Sequence, residues 1–199
     1  MNNFRTIWKH EARQVERIVN ALLENKKVAL NWKIILLPNF LNKLYRYRKD
    51  LRFTRKNILY TKQFAFDAAK NISQGKDQAW EFRQIEIRTQ EVLNKEKKGF
   101  YTEKIRRKQL SEIKLLIKHY LTLFSSKQST YVEIIKDKYP SKGNYLTFLS
   151  ALQKAEEDVI QAAITTMRKG TKKDRRQWFQ KVKETTKQVR MDEAEQIYT

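Results

Sequence analysis

Apolar residues Phe4, Trp8, Ala12, Val15, Val19 and Leu22 recur at steps of 4, 4, 3, 4 and 3, the one-sided stripe of an amphipathic helix. The pattern predicts a helix over 3–27, with Lys26 and Lys27 in its last turn, where positive charge complements the helix dipole. Residues 28–42 interrupt the periodicity with apolar groups on all sides. A basic helix is predicted from Lys43 to Asn71, ending at Ser73-Gln74-Gly75, with Leu51, Ile58, Ala65, Phe66 and Ala69 among its apolar positions. From Asp77 to Lys98 acidic residues come early and Lys95, Lys97 and Lys98 late, again the charge order a helix favours; Gly99 is its stop.

Thr102 to Phe124 places Leu110, Ile113, Ile117, Tyr120 or Leu121, and Phe124 on one face. Tyr131 to Tyr139 reads as a short helix, and Pro140-Ser141-Lys142-Gly143-Asn144 as a turn. Tyr145 to Arg168 repeats Phe148, Leu152, Ala155, Val159 and Ala162 at steps of 4, 3, 4 and 3, and Gly170 closes it. Thr171 followed by Asp174 has the spacing of a capping box, with Asp in the Glu place. The final helix, 172–197, has only the thin stripe Trp178, Val182 and Val189. The expected fold is all-α: an elongated antiparallel bundle of about six helices over 1–170. The basic C-terminal helix, 171–199, is a candidate for a separate unit.

Composition agrees. Four Gly and two Pro in 199 residues are too few to punctuate a sandwich or barrel, which needs a turn every dozen residues or so. Aromatic residues at 12% supply bulky groups that a disordered basic tail lacks. The 43 Lys and Arg outnumber the 22 Asp and Glu, giving a formal charge of +21, and such self-repulsion is relieved by a polyanion or an anionic surface. The absence of Cys removes disulfides, thiol catalysis and Cys-ligated zinc, and suits a reducing, cytoplasmic compartment. No cleavable leader is expected, since Glu11, Glu16 and Glu24 precede the first apolar run at Val28.

Little points to catalysis or a cofactor. His10 and His119 are far apart, and neither has a third His or Cys at ligand spacing, so no metal site is expected. Gly75, Gly99, Gly143 and Gly170 are isolated, so no phosphate-cradling loop is present. The run Glu156, Glu157 and Asp158 reads as a solvated helix face, and His119 as a helix-surface or core-edge histidine. No catalytic residue is assigned, and the expectation is a protein that is not an enzyme.

The segment that asks for explanation is 28–42, in which Lys33 is the sole charge. Immediately after it stand Lys43, Arg46, Arg48, Lys49, Arg52, Arg55 and Lys56, seven positive charges against Asp50. Two readings stay open. The segment is the central buried element of the bundle, or it meets one leaflet of a membrane, being too short to cross about 30 Å of hydrocarbon. In the second reading the inserting segment is Trp32, Ile34, Ile35, Leu36, Leu37, Phe40 and Leu41, of which all but Trp32 enter the acyl boundary. Tyr45, Tyr47 and Trp32 then lie at headgroup depth, and the basic run meets anionic lipid on the inner face of the membrane. Pro38 either kinks this segment or starts a new helix.

An alternative partner is nucleic acid, bound without sequence preference by the basic helices 95–108 and 168–190. Arg106, Arg107, Lys108, Lys172, Lys173, Arg175 and Arg176 are its candidate contacts. Trp178 and Phe179 are candidate stacking groups there, although the spacing of Trp178 with Val182 favours a core position. A third possibility is a structural subunit of a larger assembly. No helix-turn-helix, zinc-finger, RRM or KH pattern is matched.

Three stretches carry a resemblance: Trp32 to Phe40 with Pro38 ahead of the basic run, Glu112 to Tyr120, and Asn144 to Leu149 followed by Ala155-Glu156. Together, over about residues 30–165, the chain resembles an uncharacterised bacterial family of short, basic, mainly helical proteins. The resemblance implies a bacterial source and an all-helical fold. It carries no activity and no catalytic residues, and it does not extend to the basic C-terminal helix.

Overall fold

The computed structural model describes residues 3–23, 38–97, 99, 101–166 and 171–199; at 38–57 and 172 the described side chains are Arg52, Arg55 and Lys56. Seven helices occupy the described residues, with no strand among them: α1 (Phe4–Leu22), α2 (Pro38–Ser73), α3 (Gln78–Lys95), α4 (Glu103–Phe124), α5 (Tyr131–Lys138), α6 (Lys142–Ile164) and α7 (Lys172–Tyr198). The fold is the expected all-α bundle. Of the two outcomes open at Pro38, the structure shows a helix beginning there, at the first position, where a missing N–H and a fixed φ cost nothing.

The polar residues between helices mark their ends as their chemistry dictates. Asp77, Thr102, Thr130, Ser141 and Thr171 each accept a backbone N–H in the first turn of the helix that follows. The predicted box at Thr171 and Asp174 is present, and a second joins Thr130 to Glu133. Gly75 ends α2 at φ +95°, a left-handed conformation that costs other residues more. Its N–H bonds to Ile72 O, and that of Lys76 bonds to Asn71 O, which together satisfy two orphan carbonyls.

Five helices form a ring. Contacts pair α1 with α2, α2 with α4, α4 with α6, α6 with α7, and α7 back with α1. The pairs are antiparallel except one. Gln109 meets Thr61 while Tyr120 and Phe124 meet Phe66, so α2 and α4 run parallel. The connection is made by α3, which lies outside the ring against both. Two apolar clusters fill the interior. The larger includes Ile7, Ala65, Phe66, Leu116, Leu123, Ile134 and Ala194; the smaller holds Val15, Ile18, Val19 and Leu22 against Val182 and Val189. Each fully buried Ile, Leu or Val contributes about 1.5–3 kcal/mol relative to exposure.

The C-terminal helix is a full member of this ring: Ala194 and Ile197 lie in the larger cluster and Val182 and Val189 in the smaller. Trp178, expected in the core, is 46% exposed. The burial of α7 begins at Val182, beyond Trp178, and runs to Ile197. No described helix is long and apolar enough to cross a membrane.

Candidate functional site

Between the two apolar clusters, the ring is closed by charge. Every helix of the ring places at least one ionisable side chain there: Glu11 from α1, Lys62 from α2, Glu112 and His119 from α4, Glu156 from α6, and Arg190 and Glu193 from α7. Lys62 is 2% exposed and Glu11 is 4% exposed; Lys62 Nζ donates to Glu11 Oε2 at 2.7 Å. Arg190 Nη2 donates to Glu156 Oε1 at 2.7 Å. Glu193 accepts from the Gln14 amide, lies 2.6 Å from His10 Nε2, and is 3.4 Å from the Tyr145 hydroxyl. The His10 ring stacks on Tyr131 with centroids 3.4 Å apart, and Tyr131 continues the chain to Tyr145 at 3.4 Å.

Burial sets the proton affinities. Burial alone would lift the Glu11 carboxyl, but the charge and hydrogen bond of Lys62 outweigh it and hold Glu11 below the usual carboxylate range. Glu112 has no such partner. Its burial, reinforced by the charge of Glu156 and only partly offset by Lys62 and Arg190, pushes its carboxyl up to about 8. Glu11, Glu112 and Glu156 thus share two cations, Lys62 and Arg190, and Glu112 keeps its proton at neutral pH. His119 is driven the other way, down to about 3, by burial against the pull of Glu11. It is a neutral imidazole, stacked on Phe148 at 3.9 Å, with Nδ1 at 2.7 Å from the Tyr139 hydroxyl.

Some polar atoms remain unpaired. Among the described residues, Arg190 Nε and Nη1 and Glu81 Oε1 are buried and find no hydrogen-bond partner. Each such group costs about 1–3 kcal/mol of stability. Among the described residues, no group of three or more His, Asp or Glu is arranged to hold a metal ion.

The expected site residues have divergent surroundings. Trp32, Ile34, Ile35, Leu36 and Leu37 lie outside the described residues, while positions 40 and 41 belong to the first turn of α2. Lys43, Arg46, Arg48 and Lys49 lie along the same α2 backbone. Farther along it, Arg52, Arg55 and Lys56 are exposed, at the i, i+3, i+4 spacing that shares one face, and they form no ion pair with a described residue.

The second group is largely neutralised. Glu103 accepts from Arg106 at 2.7 and 3.1 Å and from Arg107 at 2.8 Å; these hydrogen bonds hold its carboxyl down at about 2. Lys108 bonds to Asp158 at 2.9 Å. On α7, Lys173 and Arg176 are exposed, Arg175 is half-buried, and Lys172 is the first helical residue.

The carboxylates expected on a solvated face instead form ion pairs at helix interfaces. Glu156 meets Arg190, Glu157 meets Lys183 at 3.1 Å, and Asp158 meets Lys108 and Lys154. Their proximity to the basic α7 and α4 consumes charge that the sequence leaves apparently free. His119, expected at a helix surface or core edge, is 4% exposed. Reading stripes by apolar residues alone missed Glu11, Glu112 and Lys62 as interior groups. The available signal was their position one helical turn from buried neighbours, Glu11 being four after Ile7 and four before Val15. No protein-family model, curated protein or solved structure matches the chain.

Proposed function

We propose that the chain is a non-enzymatic protein that docks peripherally on an anionic membrane surface at its cytoplasmic face. Residues 28–42 supply the apolar insert, and the basic side of α2 meets the headgroups. The observation that carries this reading is the state of Arg52, Arg55 and Lys56: exposed, without an ion pair among the described residues, and on the helix that begins at Pro38. In the run 95–108, by contrast, Arg106, Arg107 and Lys108 are committed to Glu103 and Asp158. An apolar insert with a polybasic patch supplies the two signals that stable attachment needs.

Flotation tests it. The chain floats with phosphatidylserine-containing vesicles and not with phosphatidylcholine alone. The triple variant R52E/R55E/K56E weakens binding by at least about 100-fold, because each well-placed cation contributes about 1 kcal/mol. Equal flotation with both vesicles, or with neither, ends the proposal.

A second reading, nucleic-acid binding without sequence preference, has its own support in the exposed Trp178, two residues after the exposed Arg176 and five after the exposed Lys173. Cations track phosphates and an exposed ring stacks on bases. Removing everything from 171 onward is not a usable test, because it strips Arg190, Glu193, Ala194 and Ile197 from the interior. The variant K173E/R176E/W178A leaves that interior intact. In gel shifts across a salt series it loses the complex if α7 binds nucleic acid, and behaves as the parent chain if it does not.

A further inference from the structure

Among the described residues, α3 carries three of the six exposed large hydrophobic side chains: Trp80 at 50%, Ile87 at 45% and Val92 at 38%. Of its apolar residues only Ile85 is fully buried. Ile85 and Thr89, two positions to either side of Ile87, are buried, so Ile87 points away from the ring. Trp80, Arg83, Glu91 and Asn94 are exposed too, and steps of four and seven residues place them on the same outer face as Ile87. We infer that this face joins two copies of the chain, α3 packing antiparallel on α3 of the other copy across a two-fold axis at Ile87. The face is distinct from the basic side of α2, and the dimer requires no membrane.

The charge pattern on this face complements itself. In an antiparallel pair centred on Ile87, Arg83 of each copy meets Glu91 of the other, and the two-fold axis makes both contacts at once. Arg83 and Glu91 form no ion pair with a described residue, so both are available. A parallel pair would instead set Arg83 on Arg83 and Glu91 on Glu91, which repel. Net charge selects the same surface. On α3 Glu81, Glu86 and Glu91 balance Arg83, Arg88 and Lys95, whereas the whole chain carries +21, so two copies repel least where these helices meet. Ile87 loses water against its symmetry mate. Trp80 falls opposite Asn94 of the other copy, which lines a groove between α3 and α4 together with Arg106 and Leu110. Apolar surface and a guanidinium face suit an indole there. One helix face is small beside the roughly 1,200–2,000 Å² of a stable complex, so the dimer is reversible.

Sedimentation velocity on the full chain, without lipid and from about 1 to 200 μM, tests this. The expected result is a concentration-dependent shift from the 24.0 kDa monomer to a dimer. Arg83→Glu and Glu91→Arg each set like charges against one another twice, and each weakens the dimer by about tenfold or more. The first lowers the net charge and the second raises it, so overall repulsion does not account for both. An equimolar mixture of the two variants regains the parent's affinity within about threefold, because every facing pair is again opposite in sign. Ile87→Glu puts two carboxylates on the axis and abolishes the dimer, while its thermal melt matches the parent chain because the side chain is exposed. The inference is overturned by a monomer at every concentration, the result if another segment of the chain covers α3. It is overturned equally by a dimer indifferent to Ile87→Glu, which assigns the contact to another face, or by a mixture that stays monomeric.

Discussion

Replacing Lys62 by Met is expected to lower the unfolding free energy by about 3–5 kcal/mol, since removing one partner strands a buried charge. For a chain of this size the melting temperature falls by roughly 10 °C. The stranded partner is Glu11, whose carboxylate receives Lys62 Nζ at 2.7 Å in the interior of the ring. Met matches the lysine stem in length and apolar character, so the loss reports the missing ammonium rather than a cavity. The double variant E11Q/K62M removes both charges and is expected to recover more than half of the loss. Urea unfolding at pH 7 measures all three. A loss under about 1 kcal/mol in K62M would show that water reaches Glu11, for that is the range of exposed pairs.

Most of the helices were legible because apolar spacing and capping residues agree locally. Thr171 with Asp174, Gly75 and the acid-to-base order of 77–98 each fix an end without reference to the rest of the chain. The charged centre was not legible in the same way. In α1 the visible stripe Phe4, Trp8, Ala12, Val15, Val19 and Leu22 coincides with the buried face only at Val15, Val19 and Leu22, while Ile7, Glu11, Gln14 and Ile18 are buried beside it. Glu11 and Gln14 turn inward because Lys62 and Glu193 wait there, contributed by helices 51 and 179 residues away. Only the fold brings such partners together, so no local pattern announces them. The same holds for the basic runs: Arg107 and Lys108 look alike in sequence, and the partners Glu103 and Asp158 are what separate them from Arg52 and Arg55, which have no ion pair among the described residues.

That arrangement also explains why the interior is polar at all. The apolar stripe of α7 is thin, with Val182 and Val189 a full two turns apart. A five-helix ring offers more interior than such stripes cover, and the gap is occupied by long side chains. Buried pairs of this kind add little net stability over apolar packing, but each breaks if a helix slides by one turn. We read the network as the feature that holds the register of five helices.

Glu112 gives that network a pH dependence with a definite sign. The folded chain holds the Glu112 proton up to about 8, against an ordinary carboxyl value of 4.5. Between those values the folded state carries one more proton than the unfolded state, so stability falls as pH rises. Below 4.5 both states are protonated and Glu112 contributes nothing to the slope; above about 8 the loss is complete, amounting to a few kcal/mol. Glu156, Lys62 and Arg190 are the charges that face it. His119 acts oppositely: held neutral to about 3 against an ordinary 6.5, it makes stability fall as pH drops below 6.5. Glu112→Gln keeps the shape of the protonated acid and removes its ionisation. The variant is expected to match the parent chain within about 1 kcal/mol at pH 5 and to exceed it by a few kcal/mol at pH 9. Urea midpoints for the two chains at half-unit pH steps give a difference curve from which His119 cancels. It rises with pH between about 5 and 8 if Glu112 carries the proton, and is flat if the buried carboxyl is already ionised.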